Sequence, residues 1–171
     1  MQGEYMAAHL PPNAKIVYLQ GDGTQSSAVG RWEGFKEACL DKRSDIQLLS
    51  FVDAGWSKAE ALKTMSLWMS MFPEINGVVA GNDEMALGAV AALKGANRLE
   101  GCLVTGVDAT PSGLAAVAAG EMVQTIKQDA KGQGEGALAL AEGFLKGAPP
   151  SGDMAVPFTS ITRDNAAQAA N

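Results

Sequence analysis

The stretch GVVAGNDEMALGAVAALKG, Gly77–Gly95, places a strand directly against a helix. Gly77–Ala80 is fully apolar and too short for a helix, so it is predicted to be a strand. Asn82 and Asp83 follow. A helical pattern then runs from about Glu84 to Gly95, a glycine positioned to close the helix in a left-handed cap.

The same strand-then-helix unit recurs on both sides. Upstream, Lys15–Leu19 reads as a strand, Gly21-Asp22-Gly23-Thr24 as a loop, and about Ser26 to Leu40 as a helix. The apolar stripe of that helix is Ala28, Trp32, Phe35 and Cys39. Ile46–Phe51 is the second strand. Ser57 with Glu60 forms a capping box for a helix that carries Leu62, Met65, Met69 and Phe72 and stops at Pro73. Downstream, Cys102–Val107 is the fourth strand. Thr110 and Pro111 begin a helix that ends at Ala119 and Gly120, and Met122–Ile126 is the fifth strand. A last helix spans about Asp129 to Lys146, Gly147–Gly152 is linker-like, and Ala155–Ile161 is a final strand. The alternation implies an α/β fold, a doubly wound parallel sheet with helices on both faces. One domain is expected over residues 1–165, with Ala166–Asn171 a frayed tail.

At 171 residues, 47% of them apolar, the chain is long enough for a sizeable core and is not disordered. A net charge of −6 argues against nucleic acid, whose binding needs clustered Lys and Arg to displace counterions. No window of about eighteen apolar residues suggests a membrane span. Met1–Leu10 lacks a signal pattern, so the chain is either cytoplasmic or missing its true amino terminus. Cys39 and Cys102 match no metal or redox spacing and are expected to be small buried hydrophobes. His9 is the only histidine, so one chain cannot build a histidine triad or a multi-histidine metal centre. Gly21-x-Gly23 lacks the third glycine of a dinucleotide fingerprint, since Ser26 stands there. No catalytic residue, metal or cofactor is predicted.

Ligands of doubly wound sheets bind beyond the carboxyl ends of the strands. At those exits stand Asp53 and Trp56, Asn82 and Asp83, Asp108, and Gln128, with Arg31 in the first turns of the first helix. The set suits a sugar: Asp accepts, Arg donates in a planar fork, Asn and Gln do both, and an indole covers the C–H face of a pyranose. Each residue also has a plainer reading. Asn82 caps a helix, Asp108 is a turn residue, Arg31 is a solvated helix arginine, and Gln128 is a poor cap. Trp56 is a hydrophobic staple, though its partner position holds only the small Ala61. Trp32 lies on the apolar stripe and is read as core.

Asn82-Asp83-Glu84-Met85-Ala86-Leu87-Gly88-Ala89, Gly106-Val107-Asp108-Ala109-Thr110-Pro111-Ser112-Gly113 and Thr125-Ile126-Lys127-Gln128 closely resemble the type I periplasmic sugar-binding proteins, ribose-binding branch. Arg31-Trp32-Glu33-Gly34-Phe35 and Asp53-Ala54-Gly55-Trp56 fit the same pattern in order and spacing. The resemblance covers about Gly3 to Asn165 and matches the carboxyl-terminal lobe alone. It implies a flavodoxin-like three-layer lobe and the soluble, periplasmic receptor of an ABC-type importer for a monosaccharide or polyol. It also implies hydrogen bonds to the sugar from Arg31, Asn82, Asp108 and Gln128, with Trp56 stacked on it. Trp56 stands where the ribose branch has Phe, and Trp32 where the arginine motif has Gly.

By the same resemblance, the partners are an amino-terminal lobe and a membrane permease, and the parent's signal peptide is not in this chain. Residues 129–152 would cross to that other lobe, and the lobe by itself is expected to bind sugar weakly or not at all. Without the second lobe, the helix bearing Leu138, Ala141 and Leu145 would expose an apolar face, at about 25 cal/mol per Å². It is therefore expected to dock on this sheet or to swap into a second copy as a homodimer. The alternative function is the effector-binding core of a LacI-type repressor, which shares the fold. An enzyme would need a nucleophile–base pair, a phosphate loop or a metal cluster, for which Asp53 and Asp83 are the nearest candidates.

Overall fold

β1 (Lys15–Gln20) sits inside the sheet and divides the core between its two faces. Val17 and Leu19 face one apolar cluster, and Ile16 and Tyr18 face the other, as the two-residue period of a strand requires. The computed structural model describes residues 1–148 and 152–169. β1 pairs in parallel with β2 (Gln47–Asp53) and with β3 (Gly77–Ala80), and β3 pairs in parallel with β4 (Leu103–Thr105). The order is β2-β1-β3-β4. β5 (Thr125–Lys127) follows β4 through a parallel bridge between Thr105 and Gln124. β6 (Thr159–Ile161) closes that edge antiparallel to β5. Strand order reverses between β1 and β3, which opens a crevice at their carboxyl ends.

The doubly wound sheet is as expected. One layer holds α3 (Lys58–Met71), α4 (Asp83–Gly95) and α5 (Pro111–Ala119), packed over Val17, Leu19, Val78 and Val104. Gly88 lets α4 approach α3: a Cβ there would stand 2.3 Å from the Lys58 carbonyl oxygen. The other layer holds α2 (Ser26–Phe35), which continues through a π-helical turn at Lys36–Leu40, and a helix that was not expected, α1 (Gln2–His9). α1 buries Met6, with Leu10 just beyond it, beside Ile16, Tyr18, Phe35, Cys39 and Val79. Arg43 fastens its far end, donating to the carbonyls of Ala7 and Pro11 at 2.6 and 3.1 Å and pairing with Asp45. No side chain caps the start of α1, so no local sequence signal announces it.

α6 (Ala130–Leu145) forms where a helix was predicted but does not dock on the sheet. Gly136 is its sole buried residue, while Leu138, Phe144 and Leu145 are 64%, 63% and 89% exposed. The physical reason is occupancy: α1 already covers the sheet face beside α2 that a docked helix would need.

Smaller differences follow the same logic. α3 buries Ala61, Met65 and Trp68, leaving Leu62 41% exposed, so its inward face is rotated from the predicted stripe. The left-handed residue after α4 is Asn97 (φ 55), not Gly95, and Arg98 N–H returns to the Leu93 carbonyl at 2.8 Å. α5 ends at Gly120, as predicted, and Gly120 is left-handed (φ 77). Ser57 accepts from the Glu60 N–H at 3.3 Å, the forward half of the capping box. The final strand shortens to Thr159–Ile161. The tail closes as α7 (Ala166–Ala169) with Ala166 buried, rather than fraying there. Pro149–Ser151, within the expected linker, and Ala170–Asn171 lie outside the described residues.

Candidate ligand-binding site

The site is built on backbone held in conformations that side chains rarely adopt. Trp56 (φ 62), Asp108 (φ 111) and Ala109 (φ 50) are left-handed without being glycine, and all three lie just beyond strand ends. Such strain persists only where the surroundings over-determine it.

At β4 the determinant is Asp83, fully buried at the start of α4. Its Oδ2 accepts from Thr110 N–H (2.8 Å) and Thr110 Oγ1 (3.1 Å), and its Oδ1 accepts from Thr125 Oγ1 (2.6 Å). Thr125 Oγ1 in turn accepts the Ala109 N–H at 3.1 Å. One carboxylate thus ties α4, the β4–α5 loop and β5 together and fixes the loop that carries Asp108. Gly106 and Gly113 make room for it, since a Cβ at either would come within 2.4 or 2.1 Å of its oxygens. Burial pushes the Asp83 pKa up, against the lowering by its hydroxyl and N–H donors.

At β2 the turn is set by Asp53, whose carboxylate accepts from Gly55 N–H (2.9 Å) and Gly23 N–H (2.7 Å). Trp56 then lays its indole across the exits of two other strands. A Cβ on Gly21 would stand 2.1 Å from the ring, and one on Gly81 3.2 Å. Gly21 therefore serves the indole rather than a dinucleotide turn. The Trp56 Nε1–H donates to Gln25 Oε1 at 3.0 Å.

The five residues singled out in the sequence come together here. Arg31 Nη1 donates to the Gly81 carbonyl at 2.6 Å, Nη2 lies 3.7 Å from Asp108 Oδ1, and its Cζ lies 5.2 Å from the Trp56 ring centroid. Gln128 Nε2 donates to Asp108 Oδ1 at 2.7 Å. Asn82 Oδ1 caps α4 by accepting the Met85 N–H at 2.9 Å, and its Nδ2 reaches the Trp56 carbonyl at 3.4 Å. Its capping role and its place at the rim are therefore compatible. Burial raises the Asp108 pKa, while Arg31 and Gln128 pull it down. Trp32 packs edge-on to Tyr18 and Phe51, at 4.9 and 4.7 Å, as a core residue would.

Chemically, the cluster offers carboxylate and amide oxygens beside guanidinium and amide N–H groups, with one positive and one negative charge. That combination suits a neutral polyhydroxylated ligand, whose hydroxyls both donate and accept. Asp53 and Asp83 are each committed to holding loops, and among the described residues no group of three acidic, histidine or cysteine side chains is placed to hold a metal. Sequence reasoning missed Gln25 and the work of Asp83. Neither belongs to a periodic pattern, and their partners lie 31 and 27–42 residues away.

A family model described as "Periplasmic binding protein domain" matches residues 1–149. The xylitol-binding protein of Mycolicibacterium smegmatis is 37% identical over 163 residues, 95% of this chain and 46% of that protein. The ribose import binding protein of Haemophilus influenzae is 35% identical over 147 residues, 86% of this chain and 49% of that protein. Among solved structures, an ABC transporter solute binding protein from Bacillus halodurans with bound myo-inositol is 31% identical. It superposes with a TM-score of 0.84 over 92% of this chain and 55% of its own. One from Actinobacillus succinogenes with bound D-allose is 26% identical, with a TM-score of 0.89 over 97% of this chain and 60% of its own. The chain spans about half the length of the curated relatives it matches.

Proposed function

Given that this chain belongs to the periplasmic binding protein domain family, we propose that it is the carboxyl-terminal lobe of the solute-binding component of an ABC-type sugar importer. The ligand is a monosaccharide or polyol. The observation that carries this reading is the convergence of Arg31, Trp56, Asn82, Asp108 and Gln128 on one crevice beyond the strand ends. Arg31 and Asn82 donate to ligand hydroxyls, Asp108 and Gln128 accept from them, and Trp56 supplies an apolar ring for C–H groups. Relatives named for xylitol binding and for ribose import support the transport reading over a repressor core.

In this reading residues 1–165 form one wall of the cleft and an amino-terminal lobe forms the other. Sugar bridges the two and favours the closed state, which the permease reads at the membrane from the periplasmic side. The exposed apolar face of α6 supports this arrangement, because residues 129–152 then cross to the second lobe. The test is a thermal-shift screen of pentoses, hexoses and polyols on the full-length protein that carries this chain. At least one is expected to raise the melting temperature, and Trp56→Ala and Asp108→Ala are each expected to remove that shift. Retention of the shift in both variants would take the site away from this rim, and a screen in which no sugar or polyol binds would sink the reading.

A further inference from the structure

Gln25 starts α2 and lies outside the five-residue cluster, yet it makes the one hydrogen bond to the indole N–H of Trp56 among the described residues. We propose that Gln25 is a positioning residue for Trp56: it holds the indole by its edge, so that Trp56 offers a ligand its ring and not its N–H. This rests on the reading of Trp56 as a ligand contact.

Three observations support it. First, the indole N–H is already spent. Its hydrogen bond to Gln25 Oε1 is 3.0 Å long, within the ordinary N–H···O range, and crosses 31 residues of sequence. Second, Gln25 is itself steered. Its Nε2 reaches Asp22 Oδ2 at 3.4 Å, and Asp22 Oδ1 accepts from Thr24 N–H (2.9 Å) and Thr24 Oγ1 (2.6 Å). The loop therefore presents the amide oxygen, not the amide nitrogen, to the indole.

Third, the rest of the indole has little choice of seat. A Cβ on Gly21 would overlap the ring and one on Gly81 would crowd it, Arg31 stands 5.2 Å from its centroid, and its own backbone is held at φ 62. Those contacts fix the plane of the ring but not which edge Nε1 occupies, which a half-turn about the Cβ–Cγ bond would exchange. The hydrogen bond from Nε1 to Gln25 supplies that missing constraint. A site built on a locked rotamer binds more tightly than one whose aromatic must be ordered on binding.

The first arm of the test needs no ligand. In the 15N-labelled chain, Trp56→Phe identifies which of the indole N–H resonances of Trp32, Trp56 and Trp68 belongs to Trp56. Gln25→Ala is expected to speed solvent exchange at that N–H about tenfold, the upper end of one net hydrogen bond. Gln25→Glu keeps the acceptor but sets a second carboxylate beside Asp22, so its exchange is expected to fall between that of the parent chain and that of Gln25→Ala. Equal exchange in the parent chain and in Gln25→Ala overturns the proposal.

The second arm is a double-mutant cycle of Gln25→Ala and Trp56→Phe in the full-length protein that carries this chain, read as calorimetric affinity for xylitol, D-ribose, D-allose and myo-inositol. Gln25→Ala is expected to weaken binding about three- to tenfold when Trp56 is present and to have no effect in the Trp56→Phe background. The same loss in both backgrounds overturns the proposal, since Gln25 would then touch the ligand itself. Binding of none of the four by the full-length protein counts against the sugar-site reading and leaves the exchange arm to decide the role of Gln25.

Discussion

α4 and α6 are helices of similar length, both rich in Ala, Gly and Leu, and they sit in opposite surroundings. α4 buries Met85, Ala86, Gly88, Ala89, Val90, Ala92 and Leu93 between the sheet and its neighbours. α6 buries Gly136 and presents Leu138, Phe144 and Leu145 to solvent. The difference does not come from helix propensity or apolar content. It comes from what stands across from each face. α4 follows β3, the strand beside the sheet's centre, and is met by α3 and α5. α6 follows β5, at the sheet's margin, and the place it would take beside α2 is filled by α1. A helix is amphipathic by its own sequence, but it is stabilised only by a partner.

The largest expected contrast comes from removing side chains at matched positions. Met85→Ala is expected to destabilise the chain by about 3 kcal/mol, the usual cost of a core cavity, whereas Leu138→Ala in α6 should change stability by less than about 0.5 kcal/mol. Urea melts of the two variants measure both values. A similar loss from both would mean that α6 is docked in solution. A glycine pair gives the next contrast. Gly88→Ala forces a Cβ against the Lys58 carbonyl and is expected to cost about 1–3 kcal/mol. Gly134→Ala meets nothing within 4 Å and is expected to stabilise α6 by up to about 1 kcal/mol, read as slower amide exchange in that helix.

The smallest contrast is in pH dependence. Burial raises the Asp83 pKa above its ordinary value of 3.8, so the folded chain holds that proton more tightly than the unfolded one. The resulting stabilisation is complete below 3.8 and is lost as pH rises through the folded value. Asp83→Asn is expected to remove that fall, seen as a flatter stability profile above pH 3.8. An unchanged slope in Asp83→Asn would assign the titration to another group.

The alternation of apolar runs and helical patterns was sufficient to read five strands, the helices between them and the parallel sheet, because each is a local periodicity of the chain. Arg31, Trp56, Asn82, Asp108 and Gln128 were legible for a related reason: topology carries every strand exit to the same edge, so residues just past strands become neighbours. α1 was not legible, because it is short, uncapped and held by Met6, Leu10 and a distant Arg43 rather than by its own pattern. Of the two outcomes expected for α6, docking on this sheet or swapping into a second copy, the first does not occur, because an exposed apolar face states that a partner is needed without saying which one.

The sequence by itself determined that this chain folds as an α/β sheet with its polar residues gathered at the carboxyl edge. Tertiary structure decided which carboxylates are spent on holding loops, that Asp83 and Asp53 position the loops at the rim of the site, that Gln25 takes the Trp56 N–H, and that α6 leaves the body. The reason is range. Period and capping act over a few residues and can be read along the chain, whereas burial, room for a Cβ and hydrogen bonds across 27–42 residues exist only once the strands are side by side.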